Sequence, residues 1–151
     1  MIAIGLFLSA RWAQGSFAQH KPDMVPVAAL DRAIALHTAT EKEQGRSAVI
    51  FHAYSWGGYL VWHGWPNVRD WIDDRNEVQG EEHIRHYFTI IEAAVGWRER
   101  LAGADIVAVP PDVPLVQHLR SDRDWCEVFA DPFAVIFRRS SNRVDGHVSA
   151  P

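Results

Sequence analysis

The sequence contains little cysteine, little net charge and no long apolar run. Cys126 is the only cysteine among 151 residues, which excludes an internal disulfide and a cysteine-rich zinc site. Fifteen scattered lysines and arginines stand against nineteen acidic residues, and the resulting formal net charge of −4 argues against a surface for the phosphate backbone of nucleic acid. The composition, 48% hydrophobic and 23% charged, is that of an ordinary globular protein. The length of the chain fits one domain.

The apolar stretch at the amino terminus, Met1–Leu8, is far shorter than the ~20 residues that span a bilayer, and no basic residues precede it. We expect it to be the outer end of a transmembrane helix, with a buried strand and a degenerate signal sequence as the alternatives. We divide the chain into an apolar segment and connector over residues 1–20, a single α/β domain over residues 21–139 and a frayed polar tail over residues 140–151.

Two helices are indicated by apolar residues at helical spacing. The first is predicted to run from Pro26 to about Thr40. The second covers GEEHIRHYFTIIEAAVGW, with Val95 on its buried face and Gly96 as its stop.

Short apolar runs predict the strands. These are AVIFH, VRDWID and DIVAV, and the runs WCEVFA and FAVIFRR around a DP turn predict a terminal hairpin. Between them, Asp112 is predicted to cap a short helix that continues through Leu119. Strands separated by helices indicate an α/β fold, a small layered domain with a mainly parallel sheet flanked by helices and a C-terminal antiparallel hairpin.

The stretch HAYSWGGYLVWHG, residues His52–Gly64, follows the first predicted strand. Its first tryptophan, its second tyrosine, its leucine and its last histidine recur at i, i+3, i+4 and i+7, which predicts a short helix ended by Gly64. The adjacent Gly57 and Gly58 suit either an anion-binding turn or close packing of the backbone. Because neither G-x-G-x-x-G nor G-x-x-x-x-G-K-[ST] is present, we predict that both glycines serve packing.

Acidic side chains cluster where the VRDWID strand is predicted to end. Asp70, Asp73 and Asp74 are followed at once by Arg75. Carboxylates grouped at the end of a strand can hold a divalent cation or share a proton. Alternatively, Asp73 pairs with Arg75 and locks the loop, and this is the interpretation that we favour.

Three other reactive side chains form no recognisable site. His83 and His86 stand three residues apart on the long predicted helix, but there is no H-E-x-x-H pattern and no third ligand, so we expect them to be solvated or capping. Cys126 lies mid-strand beside Trp125, and we expect it to be packed rather than nucleophilic. We therefore predict no catalytic residue, no metal and no cofactor.

Three stretches together resemble a known domain: HAYSWGGYLVWHG, RDWIDDRNEVQG and DIVAVPPDVPLVQHLRSDRDWCEVFADPFAVIFRR. They are similar to the soluble C-terminal extracytoplasmic domain of bacterial multi-spanning membrane proteins that resemble lipid-linked-sugar-dependent glycosyltransferases of the GT-C type. In that group an aromatic-W-G-G-Y-L-x-W segment follows the first strand, D-G-R and then an aromatic-glycine pair follow the next strand, and the end reads W-x-x-V-Y-x-D-x-x-x-V-F. The matching positions are Trp56, Gly57, Gly58, Tyr59, Leu60, Trp62, Asp73, Arg75, Gly80, Trp125, Val128, Asp131, Val135 and Phe137, while Asp74, Gln79 and Phe129 depart from the pattern.

The resemblance implies a membrane-associated domain on the extracytoplasmic side of the bacterial cell envelope, soluble when this piece is expressed alone. It implies no sugar transfer by this chain, because GT-C enzymes carry their catalytic acids in a loop between membrane spans. We expect a non-catalytic accessory domain that packs over a membrane-embedded partner and helps to hold a lipid-linked sugar or an acceptor. Its expected contact surface comprises Trp56, Gly57, Gly58, Tyr59, Trp62, Asp73 and Arg75.

Two alternatives belong to other functional classes. The chain is either a purely structural or interaction domain, in which the same motif is core, or a small α/β enzyme. The enzyme would use His63 with the acidic group of Asp70, Asp73 and Asp74.

Overall fold

The computed structural model describes residues 25–68 and 76–140, with the side chains of residues 76–81 excepted. Helices and a short 3-10 turn alternate with strands along the chain. The helices are α1 (Val27–Gln44), α2 (Gly57–Gly64), α3 (Asn76–Ile91), α4 (Trp97–Leu101) and α5 (Pro114–Arg120), the 3-10 turn is Tyr54–Trp56, and the strands are β1 (Ile50–His52), β2 (Ile106–Val109), β3 (Trp125–Ala130) and β4 (Val135–Arg139).

The four strands form one mixed sheet in the order β1-β2-β4-β3. β1 and β2 run parallel, whereas β2 with β4 and β4 with β3 run antiparallel. The predicted α/β class and the C-terminal hairpin are confirmed, but the mainly parallel sheet is wrong. The hairpin inserts β4 beside β2 because the start of β4 is fully buried, whereas β3 carries the exposed side chains of Cys126 and Glu127 and takes the edge.

Alternate residues of β1, β2 and β4 face opposite sides of the sheet, and each side has its own core. Phe51, Val107 and Phe137 point into one core, which α3, α4 and α5 cover. The neighbouring residues Ile50 and Ile106 point into the other core, which α1 and α2 cover. The domain therefore has three layers with the sheet in the middle.

Most predicted elements are present with shifted ends. α1 begins after Pro26 and runs four residues past Thr40, because Gly45 adopts a left-handed conformation (φ 64°) and its N–H closes the helix on Glu41 O. The strands predicted at AVIFH and DIVAV are confirmed with shorter bounds. The strand predicted at VRDWID lies outside the described residues apart from Val68, as do residues 1–20 and nearly all of the predicted tail.

Two helix ends were predicted wrongly. α3 ends at Ile91 rather than at Gly96, because the chain turns at Ala93 (φ 50°), and this turn leaves Val95 fully exposed. Gly96 instead precedes α4 in a left-handed conformation. Asp112 does not cap α5, since Val113 occupies the capping position and no side chain bonds to the helix amino end.

A buried carboxylate at the head of β2 joins the sheet to the loop between α1 and β1. Asp105 accepts hydrogen bonds from Arg46 Nη1 at 2.9 Å, Arg46 Nη2 at 2.7 Å and the Val49 N–H at 3.0 Å. Burial alone would raise the pKa of Asp105, but the hydrogen bonds from Arg46 and Val49 outweigh it and hold the pKa below its ordinary value. The ionised form is therefore the one that the fold stabilises.

Asp105→Asn is expected to lower the free energy of unfolding at neutral pH by about 2 kcal/mol, the typical contribution of hydrogen bonds to a charged group. Because the folded pKa of Asp105 lies below the unfolded value, its contribution is present above about pH 4 and is lost as the pH falls further. Urea unfolding of both proteins across this range should show their difference shrinking in acid. Glu127→Gln, which breaks an exposed pair with Arg120, is the control and should cost less than about 0.5 kcal/mol. A constant difference at all pH values would contradict the role of the carboxylate charge.

Candidate functional site

The WGGYL segment forms the 3-10 turn and helix α2, and one side of it is core. Trp56 is 4% exposed and Leu60 is completely buried, together with Leu30 and Ala33 of α1. Gly57 is buried as well. Trp56 therefore belongs to the interior rather than to the predicted contact surface.

A second side of α2 is bound to α1 by a hydrogen bond, and an aromatic pair within α2 lies beside it. Tyr59 Oη donates a hydrogen bond of 2.8 Å to Asp31 Oδ1, and this bond is the main reason why the pKa of Tyr59 lies above its ordinary value. The Tyr59 ring stacks on His63, with ring centroids 4.1 Å apart. The hydrogen bond to Asp31 fixes the rotation of α2 against α1.

The third side carries two tryptophans that the fold leaves uncovered. Trp62 is 82% exposed and Trp65 is 76% exposed. Side chains two residues apart on a helix point in directions that differ by about 200° around the helix axis. Because Leu60 is buried, Trp62 therefore points outward. Trp65 follows the helix end, and its peptide bond to Pro66 is cis. We call these two residues the tryptophan surface. The resemblance placed Trp62 on the expected contact surface, whereas it does not include Trp65, which lies beyond the helix.

Close packing against the backbone is seen at Gly64, a glycine outside the predicted pair. A Cβ at Gly58 would meet nothing within 4 Å, so the predicted packing role of Gly58 is wrong. A Cβ at Gly64 would lie 2.5 Å from Val68 Cγ2 and 2.6 Å from Val68 Cβ. The chain turns back there, with the Val68 N–H bonded to Gly64 O at 2.9 Å. Sequence spacing cannot distinguish the two glycines, because the close neighbour lies beyond the helix.

The acidic candidates cannot be placed. Asp70, Asp73, Asp74 and Arg75 lie outside the described residues, so both the Asp73–Arg75 ion pair and the acidic site stay predictions. His63 lies at the exposed end of α2, stacked on Tyr59.

The other reactive residues are spread over separate elements. His86 Nε2 lies 3.7 Å from Glu82 Oε1 one turn earlier on α3. Cys126 is exposed rather than packed as predicted, because edge strand β3 points it to solvent. Within residues 25–68 and 76–140, no group of three or more His, Cys, Asp or Glu side chains is arranged to hold a metal ion.

Comparison with known proteins gives no match: neither a protein-family model, nor a curated protein, nor a solved structure is similar to this chain. The likeness to the GT-C-associated domain therefore stays a prediction from the quoted motifs. Among the residues that the structure describes, the tryptophan surface carries the largest exposed apolar side chains.

The two glycines of α2 should respond to alanine in opposite directions. Gly64→Ala is expected to lower the free energy of unfolding by about 1–3 kcal/mol, because the new methyl group overlaps Val68. Gly58→Ala, its matched control, is expected to raise it by about 0.5 kcal/mol, because open space surrounds the position and alanine favours the helix. Chemical denaturation of both variants measures the two effects. A destabilised Gly58→Ala with an unaffected Gly64→Ala would contradict the assignment.

Proposed function

We propose that the chain is a non-catalytic accessory domain that lies against the outer face of a bacterial membrane, with Trp62 and Trp65 in the lipid headgroup layer. There it covers a membrane-embedded protein of the GT-C glycosyltransferase kind and helps to hold a lipid-linked sugar or an acceptor. The observation that carries the proposal is the exposure of both indoles, 82% and 76%.

Two uncovered tryptophans three residues apart are unusual on a folded surface. Each indole buries about 150–250 Å² when it is covered, which corresponds to about 4–6 kcal/mol before the costs of association. The other large exposed apolar side chains are smaller or only about half exposed, namely Val25, Val27, Val95 and Phe133. The tryptophan surface is thus the part of the described surface that gains most from a partner.

The chemistry of tryptophan supports a membrane interface. Its ring is apolar while its N–H is a donor, and tryptophans are accordingly enriched at the level of the lipid headgroups. A net charge of −4 gives no electrostatic attraction to anionic lipids, so contact has to depend on the indoles. Among the described residues, no helix is long and apolar enough to span a bilayer.

The support beneath the tryptophan surface is rigid. Trp56 and Leu60 anchor the opposite side of α2 in the core, and the Tyr59–Asp31 hydrogen bond holds its flank. A helix held on two sides loses little conformational entropy when its third side is covered.

A second candidate is a domain with a purely structural or interaction role. The burial of Trp56 favours it, because the most specific part of the motif is then explained by packing. The two candidates differ in what Trp62 and Trp65 contact.

Vesicle binding by the full chain tests the proposal. We expect the protein to co-sediment with vesicles of phosphatidylethanolamine and a minor share of phosphatidylglycerol, with a blue shift of tryptophan fluorescence. The double variant Trp62→Ser, Trp65→Ser should bind at least about tenfold more weakly, because it removes most of the apolar contact area. Its melting temperature should be unchanged, since both side chains are outside the core.

The controls separate this surface from general stickiness. Val95→Ser removes a fully exposed valine on the other side of the sheet and should leave vesicle binding unchanged. Adding a polyprenyl-phosphate-linked sugar to the vesicles should strengthen binding if the domain helps to hold that lipid. Equal binding by the wild type and the double tryptophan variant would overturn the membrane contact and favour the second candidate.

A further inference from the structure

A separate cavity of about 170 Å³ lies on the side of the sheet away from α2. It is formed by α4, the loop that precedes β3 and the ends of the β3–β4 hairpin. Trp97, Leu101 and Trp125 in its wall belong to the core that α3, α4 and α5 cover, whereas α2 belongs to the other core. The cavity is therefore remote from the tryptophan surface. Besides these three residues it is lined by Arg98, Ala102, Asp122, Asp124 and Arg139.

Two indoles, together with Leu101 and Ala102, provide the apolar part of the cavity wall. Trp97 and Trp125 are 8% and 7% exposed, so they are anchored in the core while part of each borders the cavity. A guanidinium lies over each ring: Arg98 Cζ is 4.8 Å from the Trp97 centroid, and Arg139 Cζ is 4.3 Å from the Trp125 ring. The apolar and the polar groups of the wall are thus adjacent.

The polar groups are held in place before any ligand arrives. The Asp122 side chain is 8% exposed; its Oδ2 accepts from Arg98 Nη1, and its Oδ1 accepts from the Asp124 N–H at 3.0 Å. Arg139 donates from Nε to Ala104 O at 2.8 Å and from Nη2 to Leu101 O at 3.0 Å. The Arg98 side chain is more than half exposed, so part of it stays open to a ligand while it is bonded to Asp122.

The balance of charges selects the class of ligand. Two arginines and two aspartates line the cavity, so an anion meets carboxylates and a cation meets guanidiniums, each at a cost. A neutral ring with several hydroxyl groups both donates to Asp122 and accepts from Arg98, while its C–H groups contact the parts of the indoles that border the cavity. The cavity is smaller than the about 300–1,000 Å³ of sites for drug-sized ligands, which limits the ligand to one ring.

We infer that this cavity binds a single neutral monosaccharide unit, with Asp122 and Arg98 bonded to vicinal hydroxyls. The inference concerns a surface other than Trp62 and Trp65 and does not depend on membrane contact. In the proposed function the domain covers a membrane protein and helps to hold its substrate. The cavity would add a site that recognises a sugar directly.

Titration of the full chain with methyl glycosides of glucose, galactose, mannose and N-acetylglucosamine tests the inference. We expect at least one of them to shift the indole N–H resonances of Trp97 and Trp125 in ¹H–¹⁵N spectra, with a dissociation constant on the order of 1 mM, as befits a ligand of one ring. Arg98→Ala and Asp122→Asn should each weaken binding at least about tenfold, as the loss of a charged hydrogen bond does. Because Arg98 is exposed, its alanine variant should fold even if the Asp122 variant does not.

The matched control is Arg120→Ala, which removes an exposed arginine whose Nε bonds to Glu127 outside the cavity. It should bind the glycoside as the wild type does. Inorganic phosphate and methylammonium serve as charged probes and should leave the two indole resonances unshifted. The inference is overturned if no glycoside shifts those resonances, if Arg98→Ala binds as tightly as the wild type, or if a charged probe binds better than every glycoside. Vesicle binding should be the same for Arg98→Ala and the wild type, so the two proposals can fail separately.

Discussion

The arrangement of the sheet depends on one buried carboxylate. Asp105 holds the α1–β1 loop through Arg46 and Val49, and its own backbone N–H bonds to Val49 O at 2.9 Å. Its carbonyl accepts from the Arg139 N–H at 2.8 Å, which extends the pairing of β2 with β4. The parallel pair and the antiparallel pair therefore meet at a single residue. Burying this charge is costly, and the three hydrogen bonds to it offset the cost only while the loop keeps its position.

The exposure of the tryptophan surface follows from this arrangement. β1 has only three paired residues. Ala53, the residue after the strand, donates its N–H to Ala108 O at 3.0 Å. The next turn is held by Tyr87, whose hydroxyl accepts from the Tyr54 N–H at 3.0 Å and whose burial raises its pKa to about 12. α2 begins from this fixed point with its apolar side toward the core. Covering Trp62 would require a rotation that exposes Leu60, so the core determines which ring faces outward.

Patterns among neighbouring residues predicted several helices and strands. The apolar period of α1, the continuous apolar runs of β1 and β2 and the hairpin were all predicted from neighbouring residues, because burial of one face leaves a period in the sequence. The order of the strands in the sheet produces no such repeat of apolar residues in the sequence. The place of β4 beside β2 depends on how completely Val135–Phe137 is buried, a property of the assembled sheet that the isolated run does not show.

The residues of the candidate sites were likewise predicted only in part. The resemblance placed both Trp56 and Trp62 on the contact surface, whereas the structure exposes Trp62 and buries Trp56, because a motif match does not say which side of a helix faces the sheet. Gly64 was overlooked as a packing residue since its neighbour Val68 lies past the helix end. The sugar cavity was missed entirely. Its two aspartates and two arginines come from three segments, and only the fold brings them together.

The tryptophan surface and the cavity lie on opposite sides of one rigid sheet, and they bind through different interactions. The tryptophan surface exposes apolar area and depends little on charge, whereas the cavity pairs charged groups around two buried rings. A close-packed sheet of fully buried residues such as Val107 and Ile136 separates them, so a change on one side reaches the other only by moving the strands. Substitutions at Trp62 and at Arg98 share no neighbours, and their effects on stability should therefore add. A domain of this design can contact a membrane on one side and hold a sugar on the other without either site constraining the residues of the other.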